Sequence, residues 1–295
     1  MIASLATGTR TVRTTRAEPA DASATPIRIP RQRTASVPDA VSAEVIRMPA
    51  DPGQRGATGV ELRLLGDFQL VMDGRLVDVS TTGQRLLAAL ACREGPVPRA
   101  QLAAALWPDC PRGRAHANLR TTVYRLQRRL PDVMRSCTSH LQLTPVMQTD
   151  LWAATEVAHA LLTAREAMDD QVAVDELVWP RMQAHLTADL LPDWSEEWLT
   201  DHQFNFHRLR IDALEALSRL LAAGGQYGAA VQNALVAVQA DPLRDSAHET
   251  LIRACVAQGN RNDALAHYRN YRTVLQTELG LDPPPHLDRL VWGAA

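Results

Sequence analysis

The sequence predicts a mainly α-helical protein with two ordered parts: a small domain of short strands and three helices, followed by an all-helical repeat domain. Three observations lead to this prediction. Alternating apolar residues give way to helical spacing after about residue 80. A period of 34 residues relates two stretches of the C-terminal half. Charge is segregated, with 12 Arg against 8 acidic residues in 60–150 and 11 Arg against 20 in 151–295.

Residues 1–59 are predicted to be a disordered arm. They contain six prolines, with Ala, Thr, Ser and Arg between them, and no helical or strand period persists. Their 8 Arg against 5 acidic residues would add non-specific affinity for phosphates, but nothing there indicates a defined site.

Residues 60–150 are predicted to contain a small antiparallel sheet, three helices and a terminal hairpin. The strand signal is the alternation of Leu62, Leu64, Phe68, Leu70 and Met72 with polar neighbours, before a turn at Asp73-Gly74. Helices are predicted over about 82–93, 99–107 and 113–130, with prolines in the breaks between them. Residues 141–143 and 147–151 look like two short strands. This order is that of a response-regulator-type winged helix-turn-helix.

Residues 151–295 are predicted to be helical almost throughout and tetratricopeptide-like. The 34-residue period places Gly225, Ala230 and Leu217 in register with Gly259, Ala264 and Leu251. Two copies do not cover 145 residues, so we expect the helices of 152–206 to act as a divergent capping repeat.

The third helix carries the pattern expected of a DNA-recognition helix. Leu119, Val123, Leu126 and Leu130 define a buried stripe, and no acidic residue occurs between Cys110 and Pro131. Arg pairs with guanine, Asn with adenine, and a Thr methyl packs on thymine in the major groove. The predicted base contacts are Arg114, Asn118, Thr121, Thr122, Arg125 and Arg128. An ordinary solvated helix is the alternative, although such helices usually interleave acids with arginines.

Contacts to the DNA backbone are expected from the rim of that surface and from the terminal hairpin. The candidates are Arg85, Arg99, Trp107, Arg129, Arg135 and His140, with Ser136 beside the last two. Trp107 has an equally good alternative as a core residue that closes the helix-turn-helix.

Composition argues against an enzyme, and we predict neither catalytic residues, nor a metal site, nor a cofactor. All 31 basic residues are Arg, which excludes chemistry that needs a P-loop, Schiff-base or kinase lysine. The four cysteines form no CxxC pair and the nine histidines no metal signature. No apolar run approaches the ~20 residues of a membrane span. We therefore expect a cytoplasmic, nucleoid-associated protein with no membrane partner.

The run VELRLLGDFQLVMDGRLVDV, together with QRLLAAL, RAQLAAALWPD and ANLRTTVYRLQRRL, resembles the DNA-binding domain of the Streptomyces antibiotic regulatory protein family. The C-terminal half resembles that family's bacterial transcriptional activator domain, through DLLPDWSEEWL (189–199), LRIDALEAL, ADPLRDSAH, ELGLDPPP and LDRLV. The resemblance covers about residues 60–293.

The resemblance implies an activator that binds direct repeats in double-stranded promoter DNA and contacts RNA polymerase. It also implies self-association side by side on DNA, and targets among secondary-metabolite genes. One departure concerns the hairpin, where Ser139-His140 replaces the family's usual Gly-Tyr and no glycine occurs between Gly113 and Gly224. An altered hairpin and an acidic helical domain leave one alternative open, an adaptor or scaffold whose winged helix no longer binds DNA.

Overall fold

The computed structural model describes residues 59–166 and 179–293. The predicted N-terminal arm lies outside the described residues, except for Gly59. Within the two described ranges, no helix combines the length and the apolar character needed to cross a membrane.

The N-terminal part contains the three predicted helices, each within two residues of its expected bounds. Its elements are β1 (Val60–Arg63), β2 (Gln69–Met72), β3 (Arg75–Leu76), α1 (Thr81–Ala91), β4 (Val97–Pro98), α2 (Arg99–Leu106), α3 (Arg112–Arg129), β5 (Met134–Ser136), β6 (His140–Leu143) and β7 (Met147–Thr149).

The first sheet has the strand order β3-β2-β1-β7. The predicted turn joins β2 to β3, with Asp73 at φ 49° and Gly74 at φ 76°, the positive φ pair of a two-residue hairpin turn. The predicted antiparallel pairing is confirmed for β1, β2 and β3. A fourth strand was not expected in this sheet: β7 pairs with β1 in parallel, and Leu62 lies opposite Thr149. The two predicted strands at 141–143 and 147–151 therefore do not form a hairpin with each other.

The wing hairpin is instead made by β5 and β6, with β4 on the other side of β6. The Cys137 N–H donates to the His140 carbonyl oxygen (3.0 Å) and closes the hairpin around Thr138 and Ser139. Among the described non-glycine residues, only Asp73 and Leu191 have positive φ. The wing turn therefore forms without a glycine because neither of its two loop residues needs the left-handed conformation that favours one.

The C-terminal part is helical, as predicted. Its helices are α4 (Asp150–Glu166), α5 (Trp179–His185), α6 (Glu197–Ala223), α7 (Tyr227–Ala240), α8 (Asp245–Ala257), α9 (Arg261–Leu279) and α10 (Pro285–Trp292). The 34-residue period is a structural repeat, since Gly225 and Gly259 both have positive φ in the turns that end α6 and α8. The small residues Ala230 and Ala264, where the next helices pack closely, are both fully buried.

A backbone seam joins the two parts. The Leu191 N–H donates to the Leu64 carbonyl oxygen (2.9 Å), and the Gly66 N–H donates to that of Asp189 (2.8 Å). At the start of α4, the Asp150 carboxylate accepts hydrogen bonds from the N–H groups of Leu64 and Leu65. Burial raises the pKa of Asp150, although these backbone hydrogen bonds oppose the rise. The helical part thus holds residues 64–66, the segment that follows β1.

Side chains at the seam belong to one apolar core. Leu190, Leu191, Leu199 and Phe206 are buried in the same cluster as the leucines of β1 and α1. Trp152 reaches from α4 and donates its indole N–H to the carbonyl oxygen of Ala91 at the end of α1 (2.8 Å). Because the core is continuous, the seam fixes the winged helix against the helical part.

Candidate nucleic-acid interface

Helix α3 packs on α2 and α1 through the stripe predicted from its sequence. Leu119, Val123, Leu126 and Leu130 are each less than a tenth exposed, as expected from their spacing. Ala115 and Thr122 extend this buried stripe. The opposite side of α3 is therefore free to face a partner.

Five of the six predicted base-contact residues lie on the accessible sides of α3. Four of them are exposed and Asn118 is half-buried; the exposed ones are Arg114, Thr121, Arg125 and Arg128. Thr122 corrects the prediction: its side chain is buried and its hydroxyl donates to the Asn118 carbonyl oxygen (3.0 Å). At about 100° per residue it lies near the edge of the buried stripe, so α3 packing keeps it from a base edge.

The arginines of this surface lack acidic partners. None of those between residues 99 and 135 forms an ion pair within the described chain: Arg99, Arg112, Arg114, Arg120, Arg125, Arg128, Arg129 and Arg135. In the helical part, by contrast, Arg210, Arg219, Arg244 and Arg253 all pair with acidic side chains. Unneutralised positive charge on the exposed sides of α3 and on the neighbouring α2 and wing attracts a polyanion.

Two of the predicted backbone contacts are committed inside the protein. The Arg85 guanidinium donates to Glu196 Oε2 (2.5 Å) and to the Leu106 carbonyl oxygen (3.0 Å), so it joins α1 to the last residue of α2 and to the helical part. Trp107 is partly buried and packs against the core, in line with its alternative reading as a closing residue. These contacts explain both residues without DNA.

The remaining four backbone candidates lie at the rim of the surface. Arg129 and Arg135 are exposed, and His140 is half-buried with its Nδ1 hydrogen-bonded to the Ser139 hydroxyl (2.8 Å). Arg99 holds the wing, since its Nε donates to the Cys137 carbonyl oxygen (3.0 Å) and its Nη2 to Ser136 Oγ (2.6 Å). Arg99 thus positions the wing while its Nη1 has no partner within the described residues.

A basic groove between α3 and the wing was missed by the sequence analysis. It has a volume of about 550 Å³, and its polar lining includes Arg99, Arg112, His116, Arg120 and Thr138. Among the residues that the structure describes, no acidic side chain lines it. The available signal was the i, i+4, i+8 spacing of residues 112, 116 and 120, which places them along one side of the helix.

The fold and this surface define a class: a winged helix-turn-helix with an unpaired arginine face, fused to a tetratricopeptide-like domain. Residues 149–291 match the family model for the bacterial transcriptional activator domain. The chain therefore carries a bacterial transcriptional activator domain and, together with its winged helix, resembles the Streptomyces antibiotic regulatory protein family.

The chain is similar to regulatory proteins of actinobacteria. It is 30% identical over 250 residues to the regulatory protein AfsR of Streptomyces coelicolor, which covers 83% of this chain and 25% of AfsR. It is 28% identical to the transcriptional regulatory protein EmbR of Mycobacterium tuberculosis, over 80% of this chain and 64% of EmbR. The chain thus spans about a quarter of AfsR and under two thirds of EmbR.

A solved structure of M. tuberculosis EmbR in complex with a low-affinity phosphopeptide has a similar fold. The TM-score is 0.57 at 25% sequence identity, covering 79% of this chain and 64% of the other. The similarity spans most of this chain and is consistent with the arrangement of winged helix and repeat helices described above.

Proposed function

We propose that this protein is a sequence-specific DNA-binding transcriptional regulator, which activates transcription by recruiting RNA polymerase to promoters. The observation that carries the proposal is the exposed face of α3, where Arg114, Arg125 and Arg128 have no acidic partner among the described residues. A helix of this kind enters the major groove, where arginine pairs bidentately with guanine.

The charge distribution supports the division of labour. Residues 151–295 carry 11 Arg against 20 acidic residues, a net charge of −9. Such a domain is repelled by DNA phosphates and is therefore available to a protein partner. Through the family resemblance we take that partner to be RNA polymerase, the sites to be direct repeats, and the targets to include secondary-metabolite promoters.

DNA binding is tested with the full chain and promoter-proximal duplexes, by fluorescence anisotropy at about 0.15 M salt. A base contact contributes about 1–3 kcal/mol, so Arg125→Ala combined with Arg128→Ala should weaken specific binding by about 30-fold or more. The matched control is Arg261→Ala with Arg269→Ala, two exposed arginines of α9 that should leave affinity unchanged. Wild-type binding no tighter than that of the α3 double variant would refute recognition through α3.

Polymerase recruitment is tested separately, by capture of purified RNA polymerase on the full chain and by transcription in vitro from a bound promoter. We expect direct capture and increased transcript from the bound promoter. Specific DNA binding without polymerase contact would contradict the activator function and leave a repressor. Absence of specific DNA binding would favour the adaptor.

A further inference from the structure

An apolar strip runs along the centre of the DNA-facing side of α3. Its members are Ala117, Thr121 and Tyr124, which lie within about 60° of one another on the helical wheel, opposite the buried stripe. Arg120 borders the strip on the side that faces the wing groove, and Arg125 borders it on the other side. Arg114 lies one turn before the strip and Arg128 one turn after it, at similar angles on the wheel. The exposed face of α3 therefore has an apolar centre, with arginines at both ends and along both sides.

Thr121 contributes a methyl group to this strip rather than a hydrogen-bond donor. Its hydroxyl donates to the carbonyl oxygen of Ala117 one turn earlier (3.0 Å). The hydroxyl proton is thus used within the helix, while the side chain remains exposed. Together with the methyl group of Ala117, the methyl group of Thr121 gives the strip an apolar surface.

Tyr124 is the largest member of the strip and does nothing evident for the fold. Its side chain is 63% exposed, and its hydroxyl has no hydrogen-bond partner within the described residues. A second exposed aromatic, Phe204 on α6, is covered by the guanidinium of Arg208 at 5.7 Å from the ring centroid. No arginine of the described chain covers Tyr124 in this way, although it stands among arginines. An uncovered ring at this position is suited to contact with a partner.

We infer that this strip reads the C5-methyl group of thymine, with Tyr124 as the residue that sets this specificity. The inference deepens the proposed function and rests on it, since it applies to DNA held against α3. Among the base edges of the major groove, the thymine methyl is the apolar feature, and guanine presents the two acceptors that suit arginine. The preferred site should therefore contain thymine at the centre of each half-site, with guanine toward its edges.

The effect of one methyl contact is small enough to require a matched comparison. Burial of one methylene-sized group contributes about 0.8 kcal/mol, which corresponds to about fourfold in affinity. Replacing thymine by uracil removes only this methyl and leaves base pairing unchanged. Substitution of single thymines by uracil is thus the most direct probe of the inference.

The experiment first selects preferred duplexes for the wild-type full chain from a randomised pool, and then replaces each thymine of a half-site by uracil in turn. We expect at least one position at which uracil weakens wild-type binding by about fourfold. Tyr124→Ala should bind the thymine and uracil duplexes equally at that position. Tyr124→Phe, which keeps the ring and loses the hydroxyl, should behave as wild type.

The control is Tyr227→Ala, which removes an exposed tyrosine from α7 and should leave the fourfold difference intact. The inference is overturned if no uracil substitution affects the wild type, or if Tyr124→Ala retains the full difference at the sensitive position. A wild-type chain that selects no sequence at all would instead refute the proposed function, and the inference would fall with it.

Discussion

Glu196 lies at the seam between the winged helix and the helical part, and its contacts allow a quantitative prediction of its effect on the free energy of unfolding. Its Oε2 accepts hydrogen bonds from Arg85 Nη2 (2.5 Å) and from the Trp198 indole N–H (3.3 Å). About a quarter of each side chain of the Arg85–Glu196 pair remains exposed. In Glu196→Ala, the Leu106 carbonyl oxygen would be the remaining hydrogen-bond partner of the Arg85 guanidinium. The buried Nε of Arg85 has no hydrogen-bond partner within the described residues even in the wild type.

The expected loss lies between two limits. Breaking a fully buried ion pair costs about 3–5 kcal/mol, whereas an exposed pair contributes about 0–1 kcal/mol. A pair that is one quarter exposed should fall between them, so we expect Glu196→Ala to lower the free energy of unfolding by about 2 kcal/mol. With a urea m-value of about 3 kcal/mol/M, the midpoint should fall by ~0.7 M.

The assay is urea unfolding of the full chain, followed by circular dichroism and by tryptophan fluorescence. Glu197→Ala is the matched control, because Glu197 is the exposed neighbour with no partner in the described chain and should change stability by about 0.5 kcal/mol or less. A double-mutant cycle with Arg85→Ala isolates the pair. A loss below about 0.5 kcal/mol for Glu196→Ala would refute the argument that this pair holds the seam.

Three further predictions concern the groove, the repeat turns and the cysteines. Arg112→Gln with Arg120→Gln should weaken binding to all duplexes alike. The salt slope, which is the slope of the logarithm of the binding constant against the logarithm of the salt concentration, should fall in magnitude by about 1.8, because each phosphate contact contributes about 0.9. Gly259→Ala should lower the stability measured by thermal unfolding by about 1–2 kcal/mol. An added Cβ would have space, but the φ of 85° is a left-handed conformation that is unfavourable for alanine. Cys92 should react far more slowly than the exposed Cys137 with a thiol reagent at pH 8, because burial raises the Cys92 pKa to about 12.

Each of these predictions has its own control. Arg261→Gln with Arg269→Gln should leave the salt slope unchanged. An unchanged slope in the Arg112→Gln, Arg120→Gln variant would mean that the groove does not contact DNA phosphates. Gly228→Ala, in the first turn of α7, should stabilise the protein by about 0.5 kcal/mol or less, and equal effects of the two glycine substitutions would contradict the conformational argument. Urea should abolish the difference between the cysteines, and equal reactivity in the folded protein would mean that Cys92 is accessible.

The helices and the repeat could be predicted from sequence because their signals are local. The spacing of Leu119, Val123 and Leu126 follows from the period of one helix, and it identified the buried side of α3. Thr122 was predicted to contact a base, but it lies at the edge of that stripe, where the helices packed against α3 decide burial. Periodicity places such a residue only to within one helical position.

The long-range contacts had no local signal. The parallel pairing of Leu62 with Thr149 joins strands that are separated by the whole winged helix. The Arg85–Glu196 pair spans 111 residues. Both contacts depend on how complete elements pack. The sequence shows the charge of Arg85 but not its partner Glu196, and Arg85 was therefore predicted to contact a phosphate. The groove beside Arg120 was missed for the same reason, since the position of the wing creates it.

The proposed function depends on one property of the chain, the reading of DNA sequence through α3. The most direct measurement is the ratio of dissociation constants for a selected duplex and for its scrambled version, determined with the wild-type full chain at about 0.15 M salt. We predict a preference of at least about 10³ for the selected duplex, and a large part of this preference should disappear in the Arg125→Ala, Arg128→Ala variant. Equal affinity of the wild type for both duplexes would contradict the claim.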